Sequence, residues 1–331
     1  MIVPSAKLNK KLFDKDVEQA PIRRGFGEGL LAAGERDANV VGLCADLTES
    51  TQMHLFKAKF PERFIEMGVA EQNLVTVASG MAAMGKVPFV TSYAMFSPGR
   101  NWEQIRTTIA YNDRPVIIAG SHAGISVGPD GGTHQAIEDI ALMRTMPNMM
   151  VVSPCDAVEA RKATLALAAA GKPGYIRLTR EKTPVMTTDD TPFALGKAQV
   201  VFQPVAGKPD VAIIATGALL YKALSVARDL EHERVGVVVV NLSTIKPLDE
   251  KAILSVAREA GAVVTVEEHQ VMGGMGSAVA ELLAEKCPVP IEFVGVRDQF
   301  GQSGTQDELL EHYGLGASHV RSAVDRVIKR K

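Results

Sequence analysis

Short runs of consecutive apolar residues alternate with longer stretches of helical periodicity along most of the chain. In the first half, Val40–Leu43, Arg63–Glu66, Val87–Thr91, Pro115–Gly120, Met149–Ser153 and Tyr175–Leu178 predict strands. Several of these runs are apolar at successive positions, which requires cover on both faces of a sheet. Between them, Arg24–Gly34, Glu71–Met84, Asn101–Tyr111, Gln135–Arg144 and Ala157–Ala170 predict helices. Strand and helix in repeated alternation specify a parallel sheet wrapped by helices. Residues 181–209 break the rhythm: EKTPVMTTDDTPF and QPVAGKPD are rich in the residues of turns and loops. The alternation then resumes with Val211–Thr216, Leu219–Leu230, Val235–Val240, Glu250–Ala260, Val263–Val266, Ser277–Glu285, Ile291–Val296 and a helical C-terminus. The pattern predicts two successive α/β domains with mostly parallel sheets, over residues 1–190 and 210–331, joined by a linker over 191–209.

Composition narrows the class. At about 150 residues per domain, 331 residues make about two domains. Thirty-six basic and 38 acidic side chains leave a net charge of −2, so neither a phosphate backbone nor an anionic membrane is an expected partner. Cys44, Cys155 and Cys287 are far apart and show no metal-ligand spacing, which fits a reducing compartment. The first residues, MIVPSAKLNKKLFDKD, lack an apolar core of signal-peptide length, and the expected location is cytoplasmic.

In open parallel sheets ligands bind beyond the carboxyl ends of the strands, so the loops there carry the candidate chemistry. After Arg63–Glu66 comes MGVAEQN, in which Glu71 opens a helix apolar almost all round, the mark of a buried helix. Its small residues, Ala78, Ser79, Gly80, Ala82, Ala83 and Gly85, permit close approach of another helix, as at a subunit contact. Glu71 is also the acidic residue that a helix N-terminus favours in any protein. After Pro115–Gly120 a long glycine-rich loop, SHAGISVGPDGGTHQ, holds His122, Asp130 and His134. Turn chemistry accounts for the glycines and Asp130 but not for both histidines. Asp46 and Ser50 follow Val40–Leu43, Arg180 follows Tyr175–Leu178, and Arg23 precedes the first helix; converging arginine forks and a hydroxyl would suit a phosphate. Gly273, Gly274 and Gly276 have the look of a phosphate-binding turn, though close helix–sheet packing explains them better.

These segments carry a family resemblance. MGVAEQN, VPFVTSYAMF, SHAGISVGPDGGTHQAIEDIALMRTMPNMMVVSPCDAVEA and YIRLTR resemble the pyrimidine-binding domain of transketolases. VEEHQVMGGMGSAVAELL and VRDQFGQSG with ELLEHYGL resemble the transketolase C-terminal domain, so the likeness covers roughly residues 20–325. A full transketolase is about twice as long, and its other half holds the diphosphate of thiamine diphosphate and a divalent metal through GDG and a downstream Asn, a triplet this chain lacks. The resemblance therefore implies the C-terminal subunit of a split transketolase, working with an N-terminal subunit that holds the metal (Mg or Ca), in an α2β2 assembly. It implies transfer of a two-carbon ketol unit from a ketose phosphate to an aldose.

Carried over residue by residue, Glu71 matches the glutamate that hydrogen-bonds N1′ of the cofactor's aminopyrimidine. Tyr93 and Phe96 match the aromatics of the pyrimidine pocket, with Tyr93 where the family usually has Phe. His122, Asp130 and His134 match substrate-contacting positions: Asp130 for the hydroxyl beside the donor carbonyl, His134 for proton transfer or sugar positioning, His122 near the phosphate. Arg23, Ser50 and Arg180 match the phosphate clamp. A β subunit of a thiamine-dependent 2-oxoacid dehydrogenase shares the GxAEQ element and the two-domain layout. A non-catalytic scaffold that kept the fold is the other alternative.

Overall fold

The computed structural model describes residues 1–331. The first half contributes β1 (Gln19–Pro21), α1 (Ile22–Arg36), β2 (Val40–Cys44), α2 (His54–Lys59), β3 (Phe64–Glu66), α3 (Glu71–Ala83), β4 (Val87–Tyr93), α4 (Trp102–Gln104), β5 (Ile117–Ser121), α5 (Asp139–Arg144), β6 (Met150–Val152), α6 (Ala157–Ala169), β7 (Gly174–Arg177) and β8 (Lys182–Pro184). The second contributes β9 (Gln199–Phe202), β10 (Val211–Ala215), α7 (Leu220–His232), β11 (Val237–Asn241), β12 (Thr244–Lys246), α8 (Glu250–Ala260), β13 (Val263–Gln270), α9 (Met275–Lys286), β14 (Ile291–Val296), α10 (Gln306–His312) and α11 (Ala317–Ile328).

The strands form a seven-stranded sheet, ordered β12-β6-β7-β5-β4-β2-β3, and a five-stranded sheet, ordered β14-β13-β10-β11-β9. Each is parallel except for one antiparallel edge strand, β12 in the first and β9 in the second. Both edge strands depart from the sequence reading. The segment expected as linker, 191–209, contains β9, which pairs with β11 and so belongs to the second sheet. β12 leaves the second half and pairs with β6 of the first. Each pairing is made at long sequence range, and a three- or four-residue run carries no mark of it.

One face of the first sheet packs α1, α2 and α6 around Phe26, Leu30, Phe56, Phe89 and Leu167. Gly25 and Gly29 allow this, since a Cβ at either would run into the backbone or side chains of α6. The opposite face holds Leu74, Ala78, Ile105 and Met143, and this cluster continues into the second domain through Ile214, Val240, Ile253 and Val279. The two sheets thus share buried apolar surface, at about 1.5–3 kcal/mol for each large side chain enclosed. A third large core cluster covers the other side of the second sheet, built on Leu220, Leu224, Val320 and Val324; it also takes in Ile125 and Ile137 from the first half.

Three helical expectations change. α3 is not buried all round: Val77, Gly80, Ala83 and Met84 form an exposed stripe. The helix expected from Gln135 begins only at Asp139, because Ala136 accepts a hydrogen bond from Gly124 N (2.8 Å) and bridges to Ala123. Residues Ile105–Ala110 continue α4 as a π-helix. No helix is long and apolar enough to cross a membrane.

Candidate functional site

Five neighbouring parallel strands, in the order β7-β5-β4-β2-β3, end along one crest of the first sheet. The loop beyond β3 leads to Glu71, the end of β4 to Tyr93, Phe96 and Arg100, and the loop beyond β5 to His122, Asp130 and His134. Beyond β2 lies Ser50, and beyond β7 lies Arg180. Arg23, at the start of α1, joins from the side: its Nε donates to Arg180 O (3.3 Å) and its Nη1 to Ser50 O.

Glu71 is 1% exposed at the head of α3. Its Oε1 accepts from the Ser92 hydroxyl (3.2 Å) and its Oε2 pairs with Arg100 Nη1 (2.8 Å). Asn101 Nδ2 donates to the Glu71 backbone carbonyl (2.9 Å). A carboxyl group this deeply buried needs such partners. The Arg100 side chain is half exposed, so one partner of the buried carboxylate can leave for water. The Arg100 guanidinium also lies 5.5 Å from the Phe96 ring centroid, which links the carboxylate to the aromatic wall.

That wall is continuous. Tyr93 stacks on His122 with ring centroids 3.9 Å apart and lies 6.3 Å from Phe96, nearly parallel to it. His134 meets Phe96 edge-on at 5.4 Å and Tyr93 at 6.1 Å. Offset and edge-on contacts of this kind are favourable for aromatic rings. Tyr93 and Phe96 are half-buried. His122 is buried; burial, then Arg23, Arg180 and His134 nearby, hold its imidazole down at about 3. It is therefore neutral near pH 7 and adds no positive charge to its surroundings. Burial and the neighbouring Arg180 also lower the pKa of Arg23. Arg180 Nη1 pairs with Glu181 Oε1 (3.0 Å) and donates to Val127 O (2.9 Å), so an anion at these two arginines would compete with one carboxylate of the chain itself.

The structure thus brings together Glu71, Tyr93, Phe96, His122, His134, Arg23, Ser50 and Arg180. Asp130 lies on the same loop but is exposed, and no hydrogen bond ties its side chain to the rest. Asp46 is also exposed; its backbone N–H donates to Glu66 Oε1 (2.7 Å). Sequence reasoning missed Ser92, Arg100 and Asn101. A serine within an apolar strand and an Arg-Asn pair before a helix were the only marks they left.

The glycine turn of the second domain is already filled. Glu267, within β13, accepts from Met275 N (2.6 Å) and Gly276 N (2.8 Å) at the head of α9. A carboxylate of the chain itself occupies the place an anion would take, in accord with the packing explanation. β13 runs through Glu267, Glu268 and His269, where polar side chains predicted a loop, because each finds a hydrogen-bond partner. No group of three or more His, Cys, Asp or Glu side chains is arranged to hold a metal ion.

Comparison with known proteins agrees with this architecture. The family model described as "Transketolase, pyrimidine binding domain" matches residues 18–186, and "Transketolase, C-terminal domain" matches residues 196–320. The chain is 40% identical over 319 residues to the 6-deoxy-6-sulfo-D-fructose transketolase subunit SqwH of Clostridium sp. (strain MSTE9), covering 96% of this chain and 98% of that protein. It is 40% identical over 313 residues to the putative transketolase C-terminal section of Methanocaldococcus jannaschii, covering 94% and 97% of the two. A solved structure described as "Split gene transketolase, inactive beta4 tetramer" superposes with a TM-score of 0.86 at 44% identity, covering 93% of this chain and 98% of that one.

Proposed function

This chain belongs to the transketolase family, and from that premise we propose that it is the C-terminal subunit of a split, thiamine diphosphate-dependent enzyme moving a two-carbon ketol unit from a ketose phosphate to an aldose. The observation that carries the reading is the convergence, on one sheet crest, of a buried carboxylate, an aromatic wall, two imidazoles and two guanidiniums. We assign the diphosphate and its divalent metal, Mg or Ca, to a separate N-terminal subunit. The reason is that the relatives spanned over nearly their whole length are named as a subunit and as a C-terminal section. The exposed stripe of α3 is the proposed surface for self-association into α2β2.

The residues present fit the aminopyrimidine end of the cofactor. Glu71 is a buried carboxylate whose Oε2 is held by a half-exposed arginine, a hydrogen-bond position that a ring nitrogen can take over. Tyr93 and Phe96 offer flat apolar surface beside it. When bound, thiamine diphosphate supplies the nucleophilic carbon and the electron sink for breaking and making the ketol bond. Glu71 holds a proton against the pyrimidine N1′, and Arg100 turns toward water to let it. His134 moves a proton at the donor oxygen or fixes the sugar, Asp130 accepts from the hydroxyl beside the carbonyl, and neutral His122 lies toward the phosphate. Arg23, Ser50 and Arg180 bind the terminal anion. That anion is a phosphate in this reading; a sulfonate, as the name of one relative indicates for that protein, is the variant to test beside it. The arginines favour an anionic sugar over the lipoyl group that a 2-oxoacid dehydrogenase would serve.

Calorimetry of thiamine diphosphate against this chain, alone and mixed with the N-terminal subunit, tests the reading. Little binding alone and tight binding in the mixture are expected, and tight binding by the isolated chain contradicts it. Donor assays on the mixture then compare a ketose phosphate with 6-deoxy-6-sulfo-D-fructose, using ribose 5-phosphate as acceptor.

A further inference from the structure

The glycine-rich loop that carries His122, Asp130 and His134 is held along its middle by the other domain. Ser126 N donates to Glu268 Oε1 (2.6 Å), a buried carboxylate on β13. Gly124, at φ +88°, lies against the same carboxylate so closely that a Cβ there would overlap it. Farther along, Gln135 Nε2 donates to Ile125 O (3.1 Å) within the loop and to Gln302 O (3.0 Å) of the second domain. Gly132 abuts Gly301 O, Gly131 abuts the Ser303 hydroxyl, and Gly128 faces Gly304 O. That opposing segment ends in a capping box, in which Thr305 and Glu308 start α10. Ile125 inserts into the second domain's core cluster. Behind the loop, buried Arg177 pairs with Asp139 (2.8 Å) and donates to Glu268 O (2.8 Å) and Ala136 O (3.2 Å).

A loop with this many glycines has a large conformational entropy to lose, roughly 1–2 kcal/mol per residue fixed. Its own domain holds the ends of the loop, through Ala123 N to Leu178 O (3.1 Å), Gly124 N to Ala136 O (2.8 Å) and the ring contacts of His122 and His134, and Arg180 Nη1 donates to Val127 O (2.9 Å); the second domain supplies the contacts to Ser126 and to the glycines between. We infer that Glu268 is a positioning residue: together with the Gly301–Gly304 backbone it sets the shape of the Gly124–His134 loop and so the placement of Asp130 and His134. The second domain is then a template for the substrate loop, working through Glu268 and without touching substrate. The functional half of the inference rests on the transketolase reading. The structural half does not.

Three variants test it. Glu268→Ala removes the acceptor for Ser126 N–H. Glu268→Asp keeps the charge beside Arg177 but draws the carboxylate back, and serves as the loosening variant should the alanine protein fail to fold. Glu268→Gln keeps a carbonyl oxygen in place and is the rescue. Hydrogen exchange on this chain should rise at least about tenfold in the 124–134 amides of the loosened variants, with β10 and β11 unchanged, and return toward wild type in Glu268→Gln. In the assembled enzyme, kcat/KM for the donor should fall about 10- to 100-fold while thiamine diphosphate affinity stays the same. Unchanged loop exchange, an equal rise in β10 and β11, or a loosened loop with unaltered kcat/KM would each overturn the inference. An inactive wild-type assembly would sink the transketolase reading yet leave the exchange result to decide the structural claim.

Discussion

Each half of the chain buries a glutamate at the head of a helix, and the two are used differently. Glu267 gives both oxygens to backbone N–H groups of Met275 and Gly276. A ligand could take that place only by displacing the buried Glu267 carboxyl from two helix N-terminal donors. Glu71 gives its oxygens to the Ser92 hydroxyl and the half-exposed Arg100 side chain. A buried carboxylate is therefore not in itself the mark of a site. What separates the two is whether the partner is fixed backbone or a side chain that can turn away. The same contrast applies to the two glycine-rich segments, since one closes on Glu267 and the other presents histidines at the crest.

Mutating the pair should split activity from stability. Glu71→Ala is expected to lower turnover of the assembled enzyme by about 10²–10⁴-fold, the range for a positioned acid or base. Its melting temperature should fall less than that of Glu267→Ala, because Arg100 can fall back into water and only the buried Ser92 hydroxyl loses its acceptor. Near-normal turnover would remove Glu71 from the chemistry. Glu267→Ala should do the opposite: two helix N-terminal donors lose their acceptor inside the protein, at about 1–3 kcal/mol each. Urea denaturation reads this loss directly, and equal destabilisation by the two alanine variants would erase the distinction.

Arg180→Ala sharpens the comparison by sampling the rim of the site. A charged hydrogen bond contributes about 1.5–3 kcal/mol, so KM for phosphorylated donors should rise roughly 10- to 100-fold and that for free sugars far less. Equal effects on both would take Arg180 out of the clamp. A smaller effect is expected from Arg100→Met. It removes the group that competes for Glu71, so thiamine diphosphate should bind the assembly a few-fold more tightly by calorimetry. Weaker binding would mean that Arg100 supports the cofactor.

A further effect is one of pH. Burial pushes the Glu267 carboxyl up to about 7, above its ordinary value of 4.5. Between those values the folded chain holds a proton that the unfolded chain has released. Stability therefore declines as pH rises from about 4.5 to 7 and levels off above. Glu159, also pushed up to about 7 by burial, contributes with the same sign. Glu267→Gln should reduce the slope without abolishing it, and an unchanged slope would count against a raised pKa at Glu267.

Much of the fold was readable because buried parallel strands are apolar on both faces: β2 is one residue longer than its predicted run, β10 is one residue shorter, and β14 matches its own. The strand ends then marked Glu71, the histidines and the arginines, since chemistry in a parallel sheet collects there. What stayed hidden depends on partners far away in the chain. Glu268 looks like a loop residue until Ser126 is brought to it, 142 positions distant. Asp139 and Arg177 form a buried ion pair that neither local segment announces. The exposed stripe on α3 was masked by its own composition, because Gly80 and Ala83 are small enough to sit in a core or at a surface.

A structure of the assembled two-subunit enzyme with thiamine diphosphate bound tests the role of Glu71 most directly. The pyrimidine N1′ should lie within about 2.6–3.2 Å of the Glu71 carboxylate, with Arg100 turned away and Tyr93 and Phe96 against the ring. An Arg100–Glu71 pair still intact, with the pyrimidine bound elsewhere, would contradict it.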